Sequence, residues 1–190
     1  MNYYQQSFEH LTNAFKLNST LISKSEEAKQ YHSWILTLLG RCYTEGGEVD
    51  DALQLLGKAL KINKAIMRED DYSNSTIHLT MARAYVKKEE YKKALKHYSF
   101  VLEYTEIKYG IKSKEMAEIF LELADTYDKK KEHKEAIEFQ KKAYNIYKET
   151  EDMDQKRLAA TAITLGEMYA DCEMLNEAIS TLREVIYHNV

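Results

Sequence analysis

The sequence predicts an all-α protein, a solenoid of antiparallel helix hairpins, on the basis of three observations. The 190 residues include no proline and only six glycines, which favours long helices because proline breaks a helix interior. A pattern with a small residue and a tyrosine recurs with a period of 42 residues. A second small residue follows each of these positions after twelve residues. Each period therefore holds two helices whose small residues allow a close crossing.

A five-residue pattern marks the first helix of each repeat. It occurs as LGRCY, MARAY, LADTY and LGEMY, with the small residue at Gly40, Ala82, Ala124 and Gly166. The second helix is marked by Ala52, Ala94, Ala136 and Ala178, followed seven residues later by Ala59, Val101, Ala143 and Val185. We expect these residues to lie where paired helices touch, with large residues beside them filling the grooves.

The period sets the expected boundaries within a single array over 1–190. Residues 1–22 fit the second helix of a partial repeat, and four repeats follow at 31–72, 73–114, 115–154 and 155–190. Ser113 is expected to cap a helix that starts near Glu115. Turns within hairpins are expected at Glu45–Gly47, Lys87–Glu89, Lys129–Glu132 and Asp171–Glu173, and loops between repeats at 69–74, 110–112 and 150–154. Neither end shows the polar capping helix of repeat arrays, so we expect a segment of a longer protein or neighbours that cover both ends.

Composition argues against several classes of function. No stretch approaches ~18 apolar residues, so no membrane span is expected, and the net charge of −4 disfavours nucleic acid as a partner. Two cysteines favour a reducing compartment and thus a cytoplasmic location. Phosphate, dinucleotide, acyl-transfer and zinc motifs do not occur in the sequence, so we expect no enzyme, no metal site and no cofactor. His78 is interpreted as a packed core histidine, since Leu36 and Phe120 stand at its place in other repeats.

Stacked hairpins present their first helices on a concave face. We expect the residues three before, one after and six before the small residue to point there. They are Thr37, Leu79, Leu121 and Ile163; Arg41, Arg83, Asp125 and Glu167; and Trp34, Thr76, Glu118 and Ala160. The floor is partly apolar, and one wall is basic in the first two repeats and acidic in the last two. The pattern favours a protein segment with acidic groups at one end and basic groups at the other; the alternative is ordinary solvent-facing residues whose signs alternate by chance.

The L-G-x-x-Y pattern and the alanine after it resemble the tetratricopeptide repeat, whose familiar form has about 34 residues. The resemblance implies a right-handed superhelix that binds other proteins without catalysis. The longer period and the missing closing proline look like the repeats of kinesin light chains. The segment Ala94–Ala124 is similar to part of the tetratricopeptide repeat protein 23 family, which is associated with cilia and microtubules. That similarity implies a subunit of a larger complex at a cilium or the cytoskeleton.

Three kinds of function stay open. They are an interaction scaffold, a structural element of a ciliary or microtubule-based assembly, and a peptide-sensing regulator like the bacterial receptors built from similar repeats. A clamp for C-terminal carboxylates is disfavoured because no repeat carries the asparagine that follows the small residue in such clamps. The asparagines common in kinesin light chain grooves are likewise replaced, by Leu38, Thr80, Glu122 and Thr164.

Overall fold

The computed structural model describes residues 2–19, 25–66, 72–150 and 155–188. Within these residues the chain forms nine α-helices and no strand, which confirms the all-α prediction. The helices are α1 (Asn2–Ser19), α2 (Glu26–Gly46), α3 (Val49–Ile66), α4 (Tyr72–Lys87), α5 (Tyr91–Tyr109), α6 (Lys114–Lys129), α7 (His133–Glu149), α8 (Gln155–Asp171) and α9 (Leu175–His188). The chain divides into two compact units, Met1–Tyr104 and Thr105–Val190, which we call the N-terminal and the C-terminal unit.

The turn inside each hairpin has the same backbone form. The residue at one fixed place of the repeat is left-handed in all four turns: Gly47 (φ 90°), Glu89 (60°), Lys131 (70°) and Glu173 (60°). The N–H of the following residue donates to the carbonyl of the repeat tyrosine, at 3.0, 2.9, 2.9 and 2.8 Å respectively. This bond closes the first helix as a Schellman motif. The four turns expected from the sequence are therefore confirmed.

Helix starts agree with the sequence in one case and differ in another. The Oγ of Ser113 accepts a hydrogen bond from the Met116 N–H at 3.1 Å and caps α6, as expected. The loop expected at 69–74 is wrong at its end, because α4 begins at Tyr72. Asn74 already lies in the helix and is buried, so packing overrides the local preference of asparagine for turns. The loop at 110–112 is confirmed between α5 and α6, whereas residues 20–24, 67–71 and 151–154 lie outside the described residues.

The small residues lie at helix crossings, as the spacing predicts. The four small residues that mark the first helices and the four alanines that mark the second helices are all buried, and so are Ala59, Val101 and Ala143. The side chain of Val185 lies outside the described residues. A Cβ placed on Gly40 would come within 2.7 Å of the Leu56 Cγ, and one on Gly166 within 3.0 Å of the Leu182 Cγ. Gly40 therefore lets α3 approach α2 more closely than an alanine would allow, whereas at Gly166 a small movement of the partly exposed Leu182 side chain would make room for a methyl group.

Each unit has its own hydrophobic core. In the N-terminal unit the core includes Leu36, Leu56, Ala59, Ile77 and Met81. In the C-terminal unit it includes Ile137, Tyr144, Ala162, Leu165, Tyr169 and Ala178. Within the described ranges, no helix has the length and apolar character needed to cross a membrane.

Candidate partner-binding groove

The predicted site residues of the N-terminal unit lie on α2 and α4. Trp34 and Arg41 are exposed on α2, Trp34 with 61% of its surface. Thr37 is only 5% exposed, and its Oγ1 donates to the Ser33 carbonyl at 2.8 Å, so it offers almost no surface to a partner. The three residues on α4 are partly exposed; they are Thr76, Leu79 and Arg83.

In the C-terminal unit, three of the four predicted site residues line one open groove of about 500 Å³. They are Leu121, Asp125 and Glu167. The fourth, Ile163, is half exposed but is not part of the lining. Two further residues, six positions before the small residue of their repeats, were also expected on the concave face. Ala160 lines the groove, whereas Glu118 pairs with Arg157 at 3.2 Å.

Helices α6 and α8 form the two sides of this groove and α7 contributes its floor. The complete lining is Leu121, Asp125, Asp128, His133, Gln140, Ala160, Thr161, Thr164, Glu167, Met168, Asp171 and Cys172. Because α6 and α8 are the first helices of successive repeats, the groove opens on the side where the spacing predicts a concave face. It is a surface depression that can hold part of a polypeptide segment.

Carboxylates dominate the charge of the groove. Asp125 is paired with Lys129 at 2.7 Å, and Asp128 lies 2.9 Å from the Nδ1 of His133. Glu167 and Asp171 have no such partner among the described residues. Within the same ranges, no three acidic, histidine or cysteine side chains converge in a way that could hold a metal ion.

The floor of the groove contains a buried amide. Gln140 is 4% exposed, and its Nε2 donates to the Thr161 carbonyl at 3.1 Å. The residues at its place in the other second helices are Leu56, Tyr98 and Leu182. Sequence reasoning missed this residue because the expected stripes lie only on first helices. A polar residue at a position that is otherwise large and mostly apolar is the signal that could have found it.

A histidine pair lies between α4 and α5 in the N-terminal unit. The Nδ1 atoms of His78 and His97 are 2.8 Å apart, so one ring donates and the other accepts. Phe100 stacks on His78, and Tyr85 stacks on His97. Burial first, then the neighbouring charges of His97 and Lys64, lower the pKa of His78 to about 4; burial above all lowers the pKa of His97. The interpretation of His78 as a packed core histidine is confirmed for its packing and its partner, but the side chain is half-buried rather than in the core.

Two models described as tetratricopeptide repeat match residues 35–66 and 73–149, together 109 of the 190 residues. The chain belongs to the tetratricopeptide repeat superfamily. The prediction from the small-residue and tyrosine spacing is thus confirmed. No curated protein matches this tetratricopeptide repeat chain.

Solved structures share the fold. BtubC (BKLC) from P. vanneervenii has a TM-score of 0.82 at 20% identity over 97% of this chain and 72% of its own. A candidate kinesin light chain of Podosopora anserina, with nearly identical TPR-like repeats, has a TM-score of 0.77 at 19% identity, over 98% of this chain and 88% of its own. A Rap protein complexed with competence and sporulation factor has 0.67 at 15% over 97% of this chain and 50% of its own. These likenesses confirm the tetratricopeptide-like solenoid of hairpins and the resemblance to kinesin light chain repeats.

Proposed function

We propose that this chain is a non-enzymatic interaction scaffold that binds a segment of a partner protein on the concave side of its repeats. The observation that carries the proposal is the open groove between α6 and α8 in the C-terminal unit. Its sides are first helices, its floor is polar and its volume of about 500 Å³ suits a few residues of an extended chain. Repeat solenoids typically use such extended concave surfaces for binding.

The cellular setting is a finer part of the same proposal. We propose a structural or adaptor component of a ciliary or microtubule-associated assembly in the cytoplasm. The support is the fold shared with a candidate kinesin light chain. The ciliary part is motivated by the resemblance suggested for Ala94–Ala124 to the tetratricopeptide repeat protein 23 family, which the comparisons do not show. A free, monomeric protein after gentle extraction of cells would contradict this setting.

A peptide-sensing regulator is the second candidate, and the fold shared with the Rap protein complexed with competence and sporulation factor favours it. This chain spans about half the length of that protein. If the repeats sense a short peptide, titration with that peptide should compact the chain, as measured by X-ray scattering. A scaffold that holds a partner segment should bind without such compaction.

Site-specific photo-cross-linking tests the scaffold proposal. A photoreactive amino acid at Thr164, which lines the groove, should cross-link the native partner, whereas one at Ala170, exposed on the same helix but outside the lining, should not. Ala160→Trp fills the groove without changing charge and should abolish the cross-link. Ala170→Trp is the matched control and should leave it intact. Equal cross-linking from both positions, or an unaffected cross-link in Ala160→Trp, would contradict binding in the groove.

A further inference from the structure

The buried amide of Gln140 is fixed in one orientation. The Thr161 carbonyl is only an acceptor, so the Gln140 atom that faces it at 3.1 Å must be the amide nitrogen. The Oε1 is therefore the free end of the amide, and it accepts no hydrogen bond from the described residues. This oxygen is open to solvent on the groove side, so a donor on a ligand in the groove can take the place of water there.

The rim around Gln140 is also rich in acceptors. Glu167 and Asp171 lie four residues apart on the same side of α8, where two like charges repel each other. The hydroxyl of Thr164 already donates to the Ala160 carbonyl at 3.2 Å. The groove thus offers carboxylates and an amide oxygen to a ligand but few free donors.

The lining includes apolar surface between these acceptors. Leu121, Ala160 and Met168 line the same groove and can contact the methylene stem of a long cationic side chain. The planar guanidinium of arginine presents several N–H donors in a fixed fork and can serve an amide oxygen and a carboxylate together. A lysine ammonium is a point charge without that planar match.

We propose that the groove of the C-terminal unit binds an extended protein segment that carries an arginine, whose guanidinium lies against the Gln140 Oε1 and the carboxylates of Glu167 and Asp171. The inference rests on the proposed scaffold function and names the chemistry of the partner. Charge complementarity selects a basic segment over an acidic segment or a nucleic acid, because both of these would face the same uncompensated carboxylates.

The test uses the full chain and four pools of fluorescein-labelled peptides. The pools share randomised flanking residues drawn from serine, glycine and leucine, and they differ only at the centre, which is arginine, lysine, citrulline or glutamate. Citrulline keeps the shape of arginine without its charge. By fluorescence anisotropy, the arginine pool should bind about tenfold more tightly than the citrulline pool, with lysine between them and glutamate weakest. Citrulline binding equal to arginine binding, or no binding by any pool, would overturn the inference.

Variants then locate the binding. Gln140→Leu installs the residue found at Leu56 and Leu182 and should reduce affinity for the arginine pool about tenfold. Gln140→Met, unbranched like glutamine, serves if the leucine variant does not fold. Glu167→Gln with Asp171→Asn should weaken the arginine pool similarly and reduce its dependence on salt. An unchanged affinity in a folded Gln140 variant would contradict the contact between the guanidinium and the Gln140 Oε1.

A second pair of substitutions controls for overall charge. Glu135→Gln with Glu138→Gln removes the same two charges from exposed positions of α7 outside the groove, and affinity should change less than about twofold. An effect equal to that of the groove pair would contradict a local site. The two proposals fail separately. A partner cross-linked at Thr164 without preference for the arginine pool sinks only this inference, whereas arginine-selective binding without any native cross-link sinks only the scaffold function.

Discussion

The N-terminal and C-terminal units place three rings at the same three positions of the repeat, with different chemistry. The rings are Tyr85, His97 and His78 in the N-terminal unit and Tyr127, Phe139 and Phe120 in the C-terminal unit. The tyrosine stacks on the second ring at 5.3 Å between centroids in one unit and 5.4 Å in the other. The second and third rings are 5.1 and 5.8 Å apart and tilted in both units.

The comparison shows that stacked rings of different chemistry can occupy the same places of two hairpins, whereas the first and last repeats carry Leu36 with Leu55 and Ala162 with Thr181 there. A phenylalanine pair does not respond to protons, whereas the hydrogen bond between two histidines needs a neutral acceptor. Protonation of both histidines would remove that bond and place two positive charges near Lys64. We therefore expect acid sensitivity in the N-terminal unit that its counterpart lacks.

The largest expected effect is loss of stability of the N-terminal unit in acid. The pKa of His78 is lowered from 6.5 to about 4, so the unfolded chain takes up the proton at a higher pH than the folded chain. The stability due to the neutral ring is fully present above pH 6.5 and is lost as the pH falls toward 4. Because the ring is only half buried and solvent screens its charge, we expect a loss of about 1–2 kcal/mol. Urea unfolding, followed by the fluorescence of the single tryptophan Trp34, measures the free energy of unfolding across this range.

Exchanging the rings tests whether the histidines cause the effect. The double variant His78→Phe with His97→Phe copies the C-terminal unit and should make the free energy of unfolding nearly independent of pH. A small remaining dependence is expected from His32, whose pKa is also lowered by burial. The reciprocal pair Phe120→His and Phe139→His should make the C-terminal unit acid-sensitive, as followed by circular dichroism. An unchanged profile in the first pair would contradict this account.

The next largest effect is the difference in stability between alanine substitutions at the two glycines that lie at helix crossings. Gly40→Ala brings a methyl group against Leu56, which is fully buried, and overpacking should outweigh the higher helix propensity of alanine by about 1 kcal/mol. Gly166→Ala meets Leu182 at a looser distance, and Leu182 is partly exposed, so we expect little net change. Thermal unfolding of both variants checks the order, and a larger loss for Gly166→Ala would refute it.

The left-handed turn residues offer a smaller comparison. Gly47 takes its positive φ without strain, whereas Lys131 holds φ 70° with a side chain at a cost of about 1 kcal/mol. Lys131→Gly should therefore stabilise the C-terminal unit by a few tenths of a kcal/mol to about 1 kcal/mol, after the greater freedom of glycine in the unfolded chain is subtracted. Gly47→Lys should destabilise the N-terminal unit by a similar amount. Denaturant midpoints that move the other way would count against a left-handed turn in solution.

The smallest effect concerns one lysine position in two repeats. Lys87 on α4 reaches the end of α2, where its Nζ lies 2.9 Å from both the Thr44 carbonyl and the Glu45 carboxylate. Lys129 at the same place pairs within its own helix. Lys87→Met should cost about 0.5 kcal/mol and Lys129→Met less, because exposed pairs contribute little. Equal losses that persist in high salt would argue against a role for the contact between helices.

The spacing of the sequence predicts most of the fold because small residues at crossings and left-handed turns recur with the repeat. It predicts neither the burial of Thr37 nor the helical state of Asn74. The spacing gives the direction in which a side chain points but not which residues pack against it. The groove lining shows the same limit. Leu121, Asp125, Ala160 and Glu167 were expected from the spacing, whereas the other eight of the twelve lining residues were not. Gln140, for example, comes from a second helix and enters the groove only through packing of α7 against α8.

Each of the four hairpin turns contains a main-chain hydrogen bond to the carbonyl of the repeat tyrosine. Because this bond uses no side chain, glycine, glutamate and lysine can all occupy the left-handed position. Repeats can therefore differ in the charge of their turns while the helices keep their packing. An array of such repeats can acquire a new binding preference by substitutions in one turn, without a change of fold.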